Sequence, residues 1–274
     1  MRHILPKTIK TFKTSFDSNS ISSEDNTKKG NEIASKFLKS ESYNDEFDLM
    51  VHTSNNKATF GFDFLYKSEK KFIPELDPSV IYFSSAQLFS GMIYNYKKDL
   101  LRNSFSLKDI AKDKPNQSLD DTMKQFETFF QFASSYIIML SASLEAFVNK
   151  SIPIDYTYTT KDGIEKDIEW IHRQSIDFKT KKIIPNCTER DYTVEHEAKY
   201  QEILAIKNFR NDLIHLTPKN EITNTKYKEF YRKVIDFKYS EVIYSIRHYI
   251  NYHEEGLIEE CPCDNKFHFD IIKK

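Results

Sequence analysis

The sequence predicts a mainly α-helical protein with a small β-hairpin and an irregular segment near its N-terminus. Two observations drive that expectation. Apolar residues recur every three or four positions through most of the chain beyond Pro78, and they alternate in twos only around residues 47–67. A third observation is the scarcity of glycine, 5 residues among 274, against 16 tyrosines and 22 phenylalanines. No G-x-G-x-x-G or G-x-x-x-x-G-K-S/T string is present, which argues against Rossmann and P-loop routes to nucleotide binding.

Taken in order, residues 17–45 are dominated by Ser, Asn, Asp, Glu and Lys. They lack the apolar anchors that offset chain entropy, so a flexible segment or long loop is expected. Phe47, Leu49 and Val51 then alternate, as do Phe60, Phe62 and Phe64, on either side of Ser54-Asn55-Asn56-Lys57. That is a hairpin and its turn. Over 80–101, Ile81, Phe83, Leu88, Phe89, Met92, Ile93, Tyr96 and Leu100 carry the helical period.

A basic link, 102–117, is broken by Pro115. Ser118 reads as the N-cap of a helix over 119–150, with Asp120 and Asp121 where carboxylates complement the helix dipole. Its stripe runs Met123, Phe126, Phe130, Ala133, Ile137, Leu140, Leu144 and Phe147, and Pro153 lies just past its end. Residues 154–162 read as a loop, and 167–174 and 177–184 as short helices stopped by Pro185-Asn186. A helix over 194–216 ends before Pro218, and a last one covers 226–252 ahead of Gly256. The expected organisation is an accessory region 1–78, a helical domain 79–256 and a C-terminal tail 257–274.

Lys and Arg total 40 against 41 Asp and Glu, a formal charge of −1, so no global field collects nucleic acid. Any such contact would use local basic ground. Lys97, Lys98, Arg102, Lys108, Lys112 and Lys114 form one cluster; Arg173, Lys179, Lys181 and Lys182 form another, with Tyr156 and Tyr158 nearby as possible stacking platforms. The plainer reading of either run is a solvated face.

Three cysteines and no apolar leader point to a reducing cytoplasm. No run is read as long and apolar enough for a membrane span, so no membrane contact is expected. Cys261-Pro262-Cys263, with His253 and His268 near in sequence, is too closely spaced for the usual structural zinc pairing. Neither a metal nor a cofactor is expected.

The chemistry-bearing string is Phe209-Arg210-Asn211-Asp212-Leu213-Ile214-His215-Leu216. Ile203, Ile206, Phe209, Leu213 and Leu216 face a core, and Asn211 and His215, four apart, share a helix face. Arg210 lies about 140° around the helix from His215 at ~100° per residue. An arginine can neutralise a phosphorane and a histidine can move protons, so the pair could cut RNA without a metal. The bland reading is a His capping a helix beside an arginine in a surface ion pair. On the preceding long helix, Ser134, Ser141, Glu145 and Asn149 trace a polar line that is either a site wall or a solvated edge.

Arg210-Asn211-x3-His215, together with Ser143-Leu144-Glu145-Ala146-Phe147-Val148-Asn149, resembles the HEPN family. This is an all-α group rich in RNases of prokaryotic toxin–antitoxin, abortive-infection and antiphage systems. The resemblance spans residues 118–255. It implies a HEPN-like helical bundle, a homodimer with an Arg and a His from each protomer in one cleft, and an antitoxin or defence partner. It also implies attack by the RNA 2′-hydroxyl, leaving a 2′,3′-cyclic phosphate. Arg210 would hold the phosphate, His215 would act as acid or base, and Asn211 would orient one of them. Glu145 would position Arg210, with Ser141 and Asn149 in support. The alternative is a non-catalytic module of the same fold that binds RNA or a protein.

Overall fold

The computed structural model describes residues 2–9, 11–13, 28, 50–54, 57–106, 108, 119–218, 227–263 and 265–266. The segment expected to be flexible (Lys28 apart), the cap at Ser118, Lys112, Lys114 and His268 lie outside the described residues. The chain divides into two units: 6–77, and the helical unit from Pro78 onward, which also takes in the first five residues.

Within 6–77 the strands are β1 (Thr11–Lys13), β2 (Met50–Ser54), β3 (Lys57–Tyr66) and β4 (Glu69–Pro74). β3 is central and all pairings are antiparallel: β1 and β2 line its first half, with Thr11 opposite Thr59 and Val51 opposite Phe60. β4 takes its second half, with Phe62 opposite Ile73. β2–β3 is the expected hairpin. β1 and β4 were not expected, and for β4 the reason is local. Its turn is Lys67-Ser68, both left-handed at φ 48° and 66°, where the legible signal would be Asn or Gly. Phe62 and Phe64 are exposed, so their alternation does not mark a buried face.

The helical unit opens with α1 (Pro78–Asn103) and α2 (Leu119–Lys150), close to the spans the periodicity predicts. They run antiparallel: Ser143 Oγ donates to Ser79 O at 2.7 Å, while Phe132 packs on Phe89 and Tyr96. α2 is long and apolar enough to cross a membrane by length and composition, contrary to the sequence expectation, and nearly half of that stretch is buried inside the unit. Phe129, Tyr136, Leu140, Leu144 and Phe147 are all within 2% of full burial. Each such side chain contributes about 1.5–3 kcal/mol, which makes α2 the axis of the core.

After α2 the expected loop contains a two-residue ladder, β5 (Tyr158–Thr159) and β6 (Glu165–Lys166). α3 (Ile168–His172) is capped by Asp167, and α4 (Ile176–Phe178) by Ser175. The chain then widens into a π-helical turn, Lys179–Ile183, before α5 (Ile184–Thr188). Pro185 was expected to stop a helix here. Instead it occupies the first turn of α5, where a missing N–H costs nothing.

Asp191 caps α6 (Tyr192–Glu195), and His196, at φ −133° and ψ 46°, breaks it from α7 (Glu197–Ile214). The single helix expected over 194–216 is therefore α7 with α6 before it, and His215 stands just beyond its end. Likewise 226–252 is two helices, α8 (Lys228–Asp236) and α9 (Tyr239–His253), parted where Phe237 turns extended. α9 runs parallel to α2, with Tyr239 on Tyr136 and Tyr249 on Phe147. The segment expected to be a tail begins inside the core: Leu257 and Ile258 are buried.

Candidate functional site

α7 is oriented by Tyr200, Ile203, Ile206 and Phe209, all within 2% of full burial. With that stripe fixed, Lys207, Arg210 and Asn211 fall along one flank. The flank faces a pocket of about 220 Å³ whose opposite wall is Ser141, Leu144 and Glu145 of α2. Gln174, Ser175 and Ile176, where α3 passes into α4, form its third side. Four of the residues singled out from sequence, Ser141, Glu145, Arg210 and Asn211, therefore share one cavity. Two cations and one carboxylate give it a net positive lining suited to an anion.

Its polar groups are loosely engaged. The Arg210 guanidinium has a 3.3 Å contact with Asn211 Oδ1, and no carboxylate among the described residues lies within ion-pair distance of it. The bond from Glu145 to Arg210 expected from sequence is thus not formed, although both line the same space. Ser141 Oγ is buried with no hydrogen-bond partner among the described residues. A helical serine ordinarily bonds the carbonyl one turn back, as Ser134 does to Phe130 O at 2.8 Å. Ser141 does not, so its buried hydroxyl is left unsatisfied among the described residues.

His215 is not in the pocket lining. It is the exposed C-cap of α7; its backbone N–H donates to Asn211 O at 2.9 Å. Asn211 thus bridges pocket and histidine along one helical turn.

Asn149, the last residue of the polar line, faces elsewhere: its Oδ1 accepts from Lys179 Nζ at 2.8 Å, and His172 O accepts from the same ammonium at 2.7 Å. Lys179 is fully buried in the π-turn. Burial pushes its pKa below the ordinary lysine value, and the charge of Glu145 opposes that shift. This corrects the expectation that Lys179 meets RNA, because its ammonium is consumed inside the fold. Lys182 is exposed; Lys181 pairs with Asp177 at 3.0 Å and Arg173 with Glu169 at 3.7 Å. Desolvation raises the Asp177 carboxyl, but bonds from Lys181 and Tyr200 and the charges of Lys181 and Lys207 outweigh it and hold it low. Tyr158 lies parallel to Trp170 and meets Phe178 edge-on, so its ring is already used internally.

Sequence reasoning missed a second cluster, where α6, the start of α7 and α9 converge. Tyr192 Oη meets His248 Nδ1 at 3.1 Å, and the rings of His196 and His248 stand 4.6 Å apart. Desolvation, then the charges of Lys199 and His196, lower the pKa of His248. His253 lies among Phe147, Tyr192, Tyr249 and Tyr252, with both ring nitrogens buried and unpartnered among the described residues. Burial, aided by Arg190 and opposed by Glu195 and Asp191, takes its pKa from 6.5 to about 4. The signal was available only as scattered aromatic and histidine positions on three elements.

No family model, no curated protein and no solved structure matches the chain.

Proposed function

We propose that the protein is a HEPN-type, metal-independent endoribonuclease, acting as a dimer in a cytoplasmic toxin or antiphage system under a partner's restraint. The observation that carries this reading is the shared pocket: Arg210 and Asn211 face Ser141 and Glu145, with no carboxylate neutralising the guanidinium among the described residues. An unneutralised arginine beside an unpartnered hydroxyl suits a phosphodiester. In the reaction, the RNA 2′-oxygen attacks the adjacent phosphorus while a base removes its proton. The phosphorus–O5′ bond breaks, and an acid protonates the departing 5′-oxygen. Arg210 steadies the charge building on the non-bridging oxygens. Because His215 lies outside the pocket of its own chain, the proton transfers would draw on His215 groups of paired protomers.

The test is RNA cleavage in buffer with chelator and no added divalent ion. Wild type should yield 2′,3′-cyclic phosphate ends, and His215→Ala should lose about 10²–10⁴ in rate while melting like wild type. Equal cleavage by wild type and variant overturns the enzyme reading.

A second reading, a helical module that binds RNA or a partner without cutting, is favoured by the exposed placement of His215 away from the pocket. It predicts salt-sensitive RNA binding lost in Arg210→Ala, with no cleavage by any variant.

A further inference from the structure

The two ends of the helical unit are laced together. Leu5 N–H donates to Glu259 O at 2.8 Å, Cys261 N–H donates to His3 O at 2.8 Å, and Ile4 and Glu260 form an antiparallel bridge. That register sets His3 opposite Cys261. The single residue Pro262 then returns Cys263 to the same side, as alternation along an extended segment requires. Imidazole and both thiols converge: their ligand atoms all lie within 4.8 Å of one another. Cys263 Sγ is 3.8 and 3.9 Å from the two ring nitrogens of His3. In a tetrahedral zinc site with ordinary bond lengths, sulfur–sulfur and sulfur–nitrogen separations are about 3.5–3.8 Å. Small side-chain adjustments suffice to reach that geometry.

The surroundings prepare the donors. His3 Nδ1 lies 3.1 Å from Asn265 O, and a carbonyl oxygen only accepts, so Nδ1 carries the proton and the lone pair sits on Nε2. A backbone carbonyl holding the far nitrogen is the usual support behind a metal-bound histidine. Asn265 Nδ2 donates to Cys263 Sγ at 3.4 Å, which holds the sulfur in place beside the imidazole. His3 and Cys261 are 2% and 9% exposed, so two of the three donors are shielded from competing solvent.

We propose that His3, Cys261 and Cys263 bind one zinc ion, which clasps the N-terminal segment of the helical unit to the segment after α9. Two soft sulfurs and one imidazole select zinc over magnesium or calcium. With three protein donors, the fourth position is open to water or a further ligand. The close Cys-Pro-Cys spacing, unfavourable when read alone, becomes workable because the third donor arrives from the opposite end of the chain.

The full-length chain is purified under reducing conditions from zinc-supplemented culture, and its metal is released with a thiol-reactive mercurial and quantified. One zinc per chain is expected, lost in the Cys261→Ser/Cys263→Ser double variant and weakened at least tenfold in His3→Gln. Cobalt reconstitution of wild type should give intense sulfur-to-cobalt charge-transfer absorption. That readout stands even if the double variant fails to fold. The proposal is overturned if wild type neither retains zinc nor develops the cobalt–thiolate band, or if the folded double variant keeps its zinc. It is also overturned if the reduced protein binds no metal and the non-reduced mass is lower by two hydrogens, marking a Cys261–Cys263 disulfide.

Discussion

The Arg210 pocket and the His248 cluster both draw on α7 and its approach, yet they treat polar groups in opposite ways. Among the described residues, the pocket's guanidinium bonds only a neighbouring amide and its buried Ser141 hydroxyl bonds nothing. In the cluster, Tyr192 meets His248, Tyr252 Oη donates to Glu195 at 2.6 Å, and Arg190 lies 4.0 Å over the Tyr252 ring. Groups satisfied within the fold contribute to its stability. A guanidinium at a cavity wall with no paired carboxylate among the described residues is available to an anion that arrives from outside. On the proposed function the first region would serve recognition and the second stability, apart from the His253 ring nitrogens and the Tyr249 hydroxyl, which are buried without a hydrogen-bond partner among the described residues.

The largest expected effect breaks the comparison at its functional end. Arg210→Ala should lower RNA cleavage by about 10²–10³-fold, while stability by chemical denaturation changes by less than about 0.5 kcal/mol, as for a side chain whose one hydrogen bond among the described residues is a long contact to its neighbour. A large stability loss would move Arg210 into the structural class.

The next effect sharpens the stability end. His253 is depressed from 6.5 to about 4, so the unfolded chain takes up a proton near pH 6.5 that the folded chain refuses until about pH 4. Stability should therefore fall as pH drops through that window and level off below it. The full shift corresponds to about 3 kcal/mol, reduced to about 1–2 kcal/mol by the ring's partial exposure. Melting temperature measured from pH 7 to 4 should decline, and His253→Phe should flatten the decline.

The smallest effects come from two orphan hydroxyls, one in each region. Tyr249 Oη is buried with no hydrogen-bond partner among the described residues, so Tyr249→Phe should be neutral or stabilising by up to about 1 kcal/mol in denaturant titration. Ser141→Ala should leave stability within about 0.5 kcal/mol but weaken RNA binding about 2–10-fold, one hydrogen bond's worth. If Ser141→Ala binds RNA as wild type does, the hydroxyl is not a ligand group.

How much was legible follows from where the information lies. α1 and α2 could be read almost to the residue because their apolar period is long and uninterrupted. The breaks at His196 and Phe237 could not, since neither residue is a helix breaker and tertiary packing sets the bends. The Lys67-Ser68 turn lacks the residues that would announce it. Ser141 and Glu145 were found because their i, i+4 spacing reports a helix face. The divergence of Asn149 toward Lys179 depends on a π-turn with no sequence signature. His3 meeting Cys261, and Tyr192 meeting His248, are long-range pairings that local spacing cannot encode.

Lys179 also equips the protein with an internal gauge of its own breathing. A mild acylating reagent should label exposed lysines such as Lys182 quickly and Lys179 last, because its amine is reached only when the wide turn around it opens. The lag between the two, followed residue by residue, would clock that opening and reveal whether an RNA or a partner seated next door slows it.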